Sequence, residues 1–319
     1  MQKLFKYTSQ IDQAIPKGVA FLFSKFFGRC FASPLIMKTS LFLFVLMAVF
    51  TRCNLVESKT GKKSSKQMTY SYACVDSAVT GNRTTKVANR ANDIIRDLAV
   101  NEKDITDEVQ SQYGEAFHKD ALETKTFVLM QDAAINSQLE KTMNDLLAQR
   151  ENPSKINYSI YLLDDKQINA FTFGGHIYVT KAMYDKCKGS PALLYSIVGH
   201  EIGHSEKGHI KKTIQEMMLS NKIFGQDNGD FFFYIKKLLT GSFNQKNELE
   251  ADYYGTDLTY RLDQDVCSAV NFWRSMAKEE NQYSKLEDFF RTHPFSNLRA
   301  QCLQDHIKEN FGQTCSSSK

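Results

Sequence analysis

The chain has 319 residues, a formal net charge of +4 and seven cysteines, long enough for two domains but without a C-x-x-C pair to build a zinc ribbon or a thioredoxin-type site. Residues 1–53 hold five Lys, two Arg and one Asp, a net +6, so the remainder carries 4 − 6 = −2. The basicity belongs to the N-terminal segment, and a near-neutral body without basic clusters argues against nucleic acid as a partner.

In chain order, the first feature is the unbroken apolar run at residues 41–50, LFLFVLMAVF. It is too short for a bilayer core, which needs about 20 residues. Met37 and Lys38 precede it and Cys53 follows it, the layout of a lipoprotein-type signal with Cys53 as the lipidated residue. Phe50, Thr51 and Arg52 depart from the apolar and small residues usual before such a cysteine. The expectation is a leader over 1–53 and export to a bacterial envelope or periplasm, with membrane association through that segment; the alternative is organelle targeting. Residues 54–86 are rich in Ser, Thr and Lys and read as a flexible tether. The folded domain is expected over 87–319. Five cysteines lie beyond Cys53, so at least one thiol in the exported body is unpaired.

Residues 87–109 and 131–149 carry apolar side chains at three-to-four spacing and predict amphipathic helices. Residues 156–163 and 168–180 alternate and are rich in β-branched and aromatic residues, with Gly174-Gly175 able to turn the chain between strand pieces. From Ser190 onward the pattern is helical, apart from residues 225–229 and the stretch around His293. An aromatic run at 231–234 reads as core or as a lid over a cleft.

Ser190-Pro191 is a helix start, because Ser caps free backbone N–H groups and Pro is tolerated at the first helical position. That helix runs into His200-Glu-Ile-Gly-His204. Residues four apart on a helix differ by about 40° around the axis, so His200 and His204 present their imidazoles side by side, as two ligands of one zinc ion must be. Glu201, one position on, is placed to take a proton from the attacking water. Two satisfied core histidines are the bland alternative for so short a motif.

A third protein ligand has two candidates. His209 lies five residues past His204, about 140° away if the helix continues, and the metzincin spacing would require His where Ile210 stands. It reads as a non-ligand. Glu248 in NELEAD (247–252) is the better candidate: Glu248 and Asp252 share a helix face, so one can bind metal while the other hydrogen-bonds a ligand imidazole, with Glu250 pointing away. Spacing alone leaves open an ordinary solvated acidic face.

Four ordered motifs resemble the HtpX-like and BepA-like gluzincin peptidases, the family that includes the CAAX prenyl endopeptidases. They are Asn169-Ala-Phe with Gly174-Gly175 and Tyr178-Val-Thr; His200-Glu-Ile-Gly-His204; Glu248-Leu-Glu-Ala-Asp252 with Gly255; and Thr292-His-Pro with Arg299. The resemblance spans residue 85 to the C-terminus. It implies an α+β, mainly helical zincin-type domain, with a small sheet beside the motif helix and one Zn2+ per chain. It implies His200, His204 and Glu248 as ligands, Glu201 as general base and Asp252 as support. His293 is implied as a catalytic residue near the metal, holding the oxyanion or occupying the open coordination position in a latent state. The strand from Phe171 through Phe173, Gly174 and Gly175 to Tyr178 is implied to bind an extended protein or peptide substrate along its edge. Where the family often has an Arg just upstream of the ligand glutamate, this chain has Gln245 and Lys246. The implied activity is endopeptidase action on misfolded or envelope proteins. A non-catalytic, zinc-stabilised chaperone-like binder is the rival, and it has no need of Glu201.

Overall fold

A computed structural model describes residues 68–73, 100–224, 244–279, 293 and 297–316. The leader with Cys53, most of the tether, residues 87–99 and the aromatic run at 231–234 lie outside the described residues. Among the described residues no helix is long and apolar enough to cross a membrane.

Among the described residues, an irregular stretch with one 3-10 turn leads into α1, Asp107–Glu123, capped by the Thr106 side chain on Val109 N. Of the helix expected over 87–109, residues 87–99 lie outside the described residues; residues 100–106 are not α-helical, and a helix that apolar periodicity did not predict begins where that one was to end. The reason lies in its buried face, Gln110, Ser111, Gly114, Phe117 and Ala121, which has one large apolar residue. Helix α2, Ala133–Leu147, matches expectation, with Asp132 accepting from Ala134 N and Ile135 N. Its face of Ile135, Leu139, Met143 and Leu146 is buried against the sheet.

Three strands follow: β1, Ser159–Leu163; β2, Ala170–Phe173; and β3, His176–Thr180. The order is β1-β3-β2, with β3 parallel to β1 and antiparallel to β2. All five β3 residues are buried, as a central strand covered on both faces requires. Gly174 and Gly175 turn β2 into β3 with φ of 63° and 97°, the positive values a two-residue type I′ hairpin demands. The turn is also seated on α1, since a Cβ on Gly174 would stand 2.3 Å from Gly114 Cα.

Helix α3, Lys181–Cys187, leads to α4, Pro191–Glu206, capped by Ser190 on Leu193 N with Pro191 at its first position. Nearly every α4 residue from Ala192 to Ser205 is buried, so this helix runs through the core, apolar in its first turns and carrying the buried His200, Glu201 and His204 toward its end. Its C-terminal end is pinned by Glu206, whose Oε1 accepts from Arg150 (2.6 Å), Ser154 (2.7 Å) and the Tyr158 hydroxyl (2.8 Å). Then come α5, His209–Phe224; α6, Gln245–Arg261; α7, Cys267–Glu279; and α8, Asn297–Phe311.

Helices α4 and α6 meet backbone to backbone. A Cβ on Gly199 would lie 2.9 Å from Gly255 Cα, and one on Gly203 would lie 2.9 Å from Ala251 Cα. Side chains of ordinary size hold packed helices 8–10 Å apart; these small residues let the two helices approach more closely, and both carry candidate ligands.

Residues 68–73, expected within the flexible tether, lie instead on α6 and α8. The Tyr70 hydroxyl donates to Asp257 (2.6 Å), Tyr253 donates to Ser71 O (2.5 Å), and Asn310 accepts from Thr69 N (2.8 Å). Two tyrosines in an otherwise polar stretch supply the apolar area that makes docking favourable.

Candidate metal centre

The α4–α6 contact brings four donor side chains together. One ligand atom each from His200, His204, Glu248 and His293 lies within 4.8 Å of the others, and all four residues are buried. His204 Nε2 is 3.0 Å from His200 Nε2 and 3.4 Å from Glu248 Oε1, and His200 Nε2 is 3.6 Å from Glu248 Oε2. His293 Nδ1 stands 3.2 Å from His200 Nε2 and 3.1 Å from Glu248 Oε2. A tetrahedral ion with bonds of about 2.0–2.1 Å separates its ligand atoms by about 3.3–3.4 Å. The observed spacings straddle that value, and two imidazoles plus a carboxylate are the donor set of a catalytic zinc.

The outer contacts explain why the nitrogens point inward. His200 Nδ1 donates to Asp252 Oδ1 at 2.9 Å, which leaves the Nε2 lone pair facing the cluster. Asp252 is held in turn by Arg299 Nε at 2.6 Å, and Arg299 Nη1 donates to Glu248 Oε2 at 2.9 Å. Arg299 comes from α8, is fully buried and lies over the Trp273 ring at 4.2 Å. The cation that Gln245 and Lys246 do not supply upstream of Glu248 therefore arrives from a different helix.

Burial works against every charge here, and the neighbours decide the outcome. Against its burial, hydrogen bonds that Asp252 and Glu248 accept from it push His200 up to about 10, so the cluster calls for positive charge at this point. Burial depresses His204 well below the usual histidine range. Burial would raise Glu248, but the His293 and Arg299 charges hold it well below the carboxylate range. Glu201 is raised by burial, with His293 and His200 opposing.

Glu201 Oε1 is 3.5 Å from His293 Nε2. Its other oxygen, Oε2, is buried with no hydrogen-bond partner among the described residues, as is Glu248 Oε1. Orphaned carboxylate oxygens beside a nest of inward lone pairs are costly unless a cation and a polar reactant complete them. His293 Nε2 lies 3.0 Å from Ala170 O and donates to it, tying the cluster to β2.

The expected substrate strand is brought near the site only in part. Phe171 and Phe173 lie on β2, whose outer edge carries no strand among the described residues. Tyr178 does not belong with them: it sits on the central strand, its side chain is fully buried against Phe117 and Phe127, and both its edges are paired. Gly174 and Gly175 are likewise packed, against α1 and Asn157. Helix α1, which packs on Gly174 and on Tyr178 through Gly114 and Phe117, is what covers them, while the Phe171 ring stacks on Tyr178 at 4.8 Å.

Two residues set aside on sequence grounds take part. Helix α4 ends at Glu206 and Gly208 has φ of 78°, so the rotation argued for a continuous helix does not apply and His209 folds back on the site. Its Nδ1 is 3.0 Å from His204 Nδ1, and its Nε2 is 3.0 Å from Glu250 Oε2. Gly208, a glycine just past a helix end, was the signal that could have shown the break.

Residues 133–307 match the model of Peptidase family M48, over half of the chain. The chain is 28% identical over 191 residues to Metalloprotease LoiP of Escherichia coli K12, covering 55% of this chain and 73% of that protein. It is 25% identical over 201 residues to the Beta-barrel assembly-enhancing protease of Yersinia pestis, covering 57% of this chain and 41% of that protein. With Mitochondrial metalloendopeptidase OMA1 of Schizosaccharomyces pombe it shares 26% identity over 164 residues, 49% of this chain and 48% of that one. The match begins at the first residue of α2 and extends into α8, taking in the sheet and every donor of the cluster, and on that ground the chain belongs to peptidase family M48 and is a metalloendopeptidase.

Proposed function

We propose that the chain is an exported zinc endopeptidase, holding one ion through His200, His204 and Glu248, with Glu201 as general base and Asp252 orienting His200. The observation that carries this reading is the convergence of the donors within 4.8 Å beside the buried Glu201. Bound there, zinc would supply Lewis-acid polarisation of the scissile carbonyl and of the attacking water. Glu201 takes the water proton and returns it to the amine as the C–N bond breaks; its burial-raised basicity suits both halves of that task.

His293 stands among the donors, where it would serve as a further ligand in a latent state; released from the cluster, its ring N–H would be a hydrogen-bond donor for the oxyanion. The outer edge of β2, at Phe171 and Phe173, offers backbone groups to an extended peptide. Substrate pairing there would compete with His293 for Ala170 O, coupling binding to release of the latch.

Export is supported by the disulfide between Cys267 and Cys315 and by a further disulfide at Cys302, since such bonds persist in oxidising compartments. Anchoring through a lipidated Cys53 rests on the leader pattern. The name of the Yersinia relative, a β-barrel assembly-enhancing protease, favours envelope proteins as substrates.

Glu201→Gln tests the mechanism. The variant should keep zinc and lose cleavage of casein or an unfolded envelope protein; undiminished cleavage would sink the assignment.

A further inference from the structure

The two candidate histidine ligands are held from behind by different means. His200 has a carboxylate, Asp252, directly on its Nδ1. His204 has another histidine there, His209, and only beyond it a carboxylate, Glu250. His209 is buried, whereas the Glu250 side chain is 24% exposed and has Lys246 Nζ at 3.8 Å.

From this geometry we infer that His209 and Glu250 are positioning residues that fix the tautomer and orientation of His204. The inference rests on the zinc reading above. Glu250, ionised, can only accept, so His209 Nε2 must be the donor. With its proton on Nε2, neutral His209 presents a lone pair at Nδ1. His204 Nδ1, 3.0 Å away, must then donate, and the proton on Nδ1 leaves His204 Nε2 unprotonated and facing His200, Glu248 and His293. One surface carboxylate thus sets two imidazoles in series.

If Glu250 is removed, His209 is free to carry its proton on Nδ1 instead. That proton would oppose a proton on His204 Nδ1 and favour the His204 tautomer with Nε2 occupied, which cannot bind metal. Outer partners of ligand imidazoles elsewhere are worth about 10–100-fold in metal affinity.

The test is the zinc dissociation constant of the full chain, measured by competition with a chromophoric chelator, alongside thermal unfolding of the metal-stripped protein. His209→Phe keeps the ring and deletes both nitrogens; it should weaken zinc about 10–100-fold. His209→Asn places an acceptor oxygen near the position of Nδ1 and should restore affinity to within about threefold of wild type. Glu250→Ala should weaken zinc, and adding it to His209→Phe should cost nothing further, because both act along one path. His209→Phe binding within threefold of wild type, His209→Asn as weak as His209→Phe, or additive losses in the double variant would each overturn the inference. Should His209→Phe not fold, Glu250→Ala decides, since its side chain reaches solvent, and unchanged affinity there overturns the inference equally. A wild-type chain that binds no zinc overturns the metallopeptidase reading itself, a different outcome from zinc bound normally by wild type and variants alike.

Discussion

Arg299 carries its charge into full burial and spends it on two carboxylates, Glu248 and Asp252, with Trp273 beneath the guanidinium. Removing one member of such a set strands the others, at a cost of about 3–5 kcal/mol. Arg299→Met should therefore lose stability on that order in urea unfolding and release zinc more readily; Arg299→Lys should not rescue it, because an ammonium cannot span both carboxylates. A loss under 1 kcal/mol would show that Arg299 is not the site's structural cation. The HEIGH ligands and the Glu248–Asp252 pair were legible because helical periodicity alone places residues four apart on one face. His293 was reachable only through the family resemblance, and the His209–Glu250 pair was not reached, since it depends on a helix break and on contact between two helices. Cys187 is the odd thiol that the cysteine count required: it is free and buried, and burial pushes it up to about 12. It should resist iodoacetamide in the native state and react on unfolding, which mass measurement reads directly.

Helix α4 and helix α6 owe their approach to Gly199, Gly203, Ala251 and Gly255. A Cβ on Gly255 would lie 2.6 Å from His200 N, against backbone that cannot step aside. Gly255→Ala should cost about 1–3 kcal/mol by overpacking and should also weaken zinc, because it moves the helix of Glu248 away from that of His200. Full zinc affinity in a destabilised Gly255→Ala would separate the two effects and contradict this role. The sheet was legible in its order along the chain, including the Gly174-Gly175 turn, because alternation and turn glycines are local signals. Helix α1 was not, since it packs through Gly114 and Ser111 rather than through a large apolar stripe. Strand β3 brings a pH dependence of its own. Burial, aided by His118, pushes His176 down to about 4, and Glu115, 3.6 Å away but mostly in water, does not reverse it. The unfolded chain protonates His176 near 6.5 and the folded one does not, so its effect is nil above about pH 6.5 and destabilising as pH falls toward 4, on the order of 3 kcal/mol in full. The difference in stability between wild type and His176→Phe, measured on metal-stripped chain, should grow over that interval; a pH-independent difference would refute it.

Covalent and strap contacts secure the C-terminal helices that deliver Arg299. The Cys267–Cys315 disulfide, at a separation of 48 residues, constrains the unfolded chain by about 4 kcal/mol in the loop-entropy account. Cys302, on α8 itself, is bonded as well, and residues 68–73 clasp α6 and α8 through Tyr70 and Tyr253. Domain extent was legible from composition only roughly, because two tyrosines in a polar stretch are too little signal to mark a docked segment. The central claim is that the buried cluster on α4 and α6 is a hydrolytic zinc site. Metal analysis of the purified full chain, paired with casein cleavage before chelation, after it and after zinc is restored, tests that claim most directly. One zinc per chain is expected, with activity lost and regained with the metal; cleavage that survives complete removal of metal would contradict the claim.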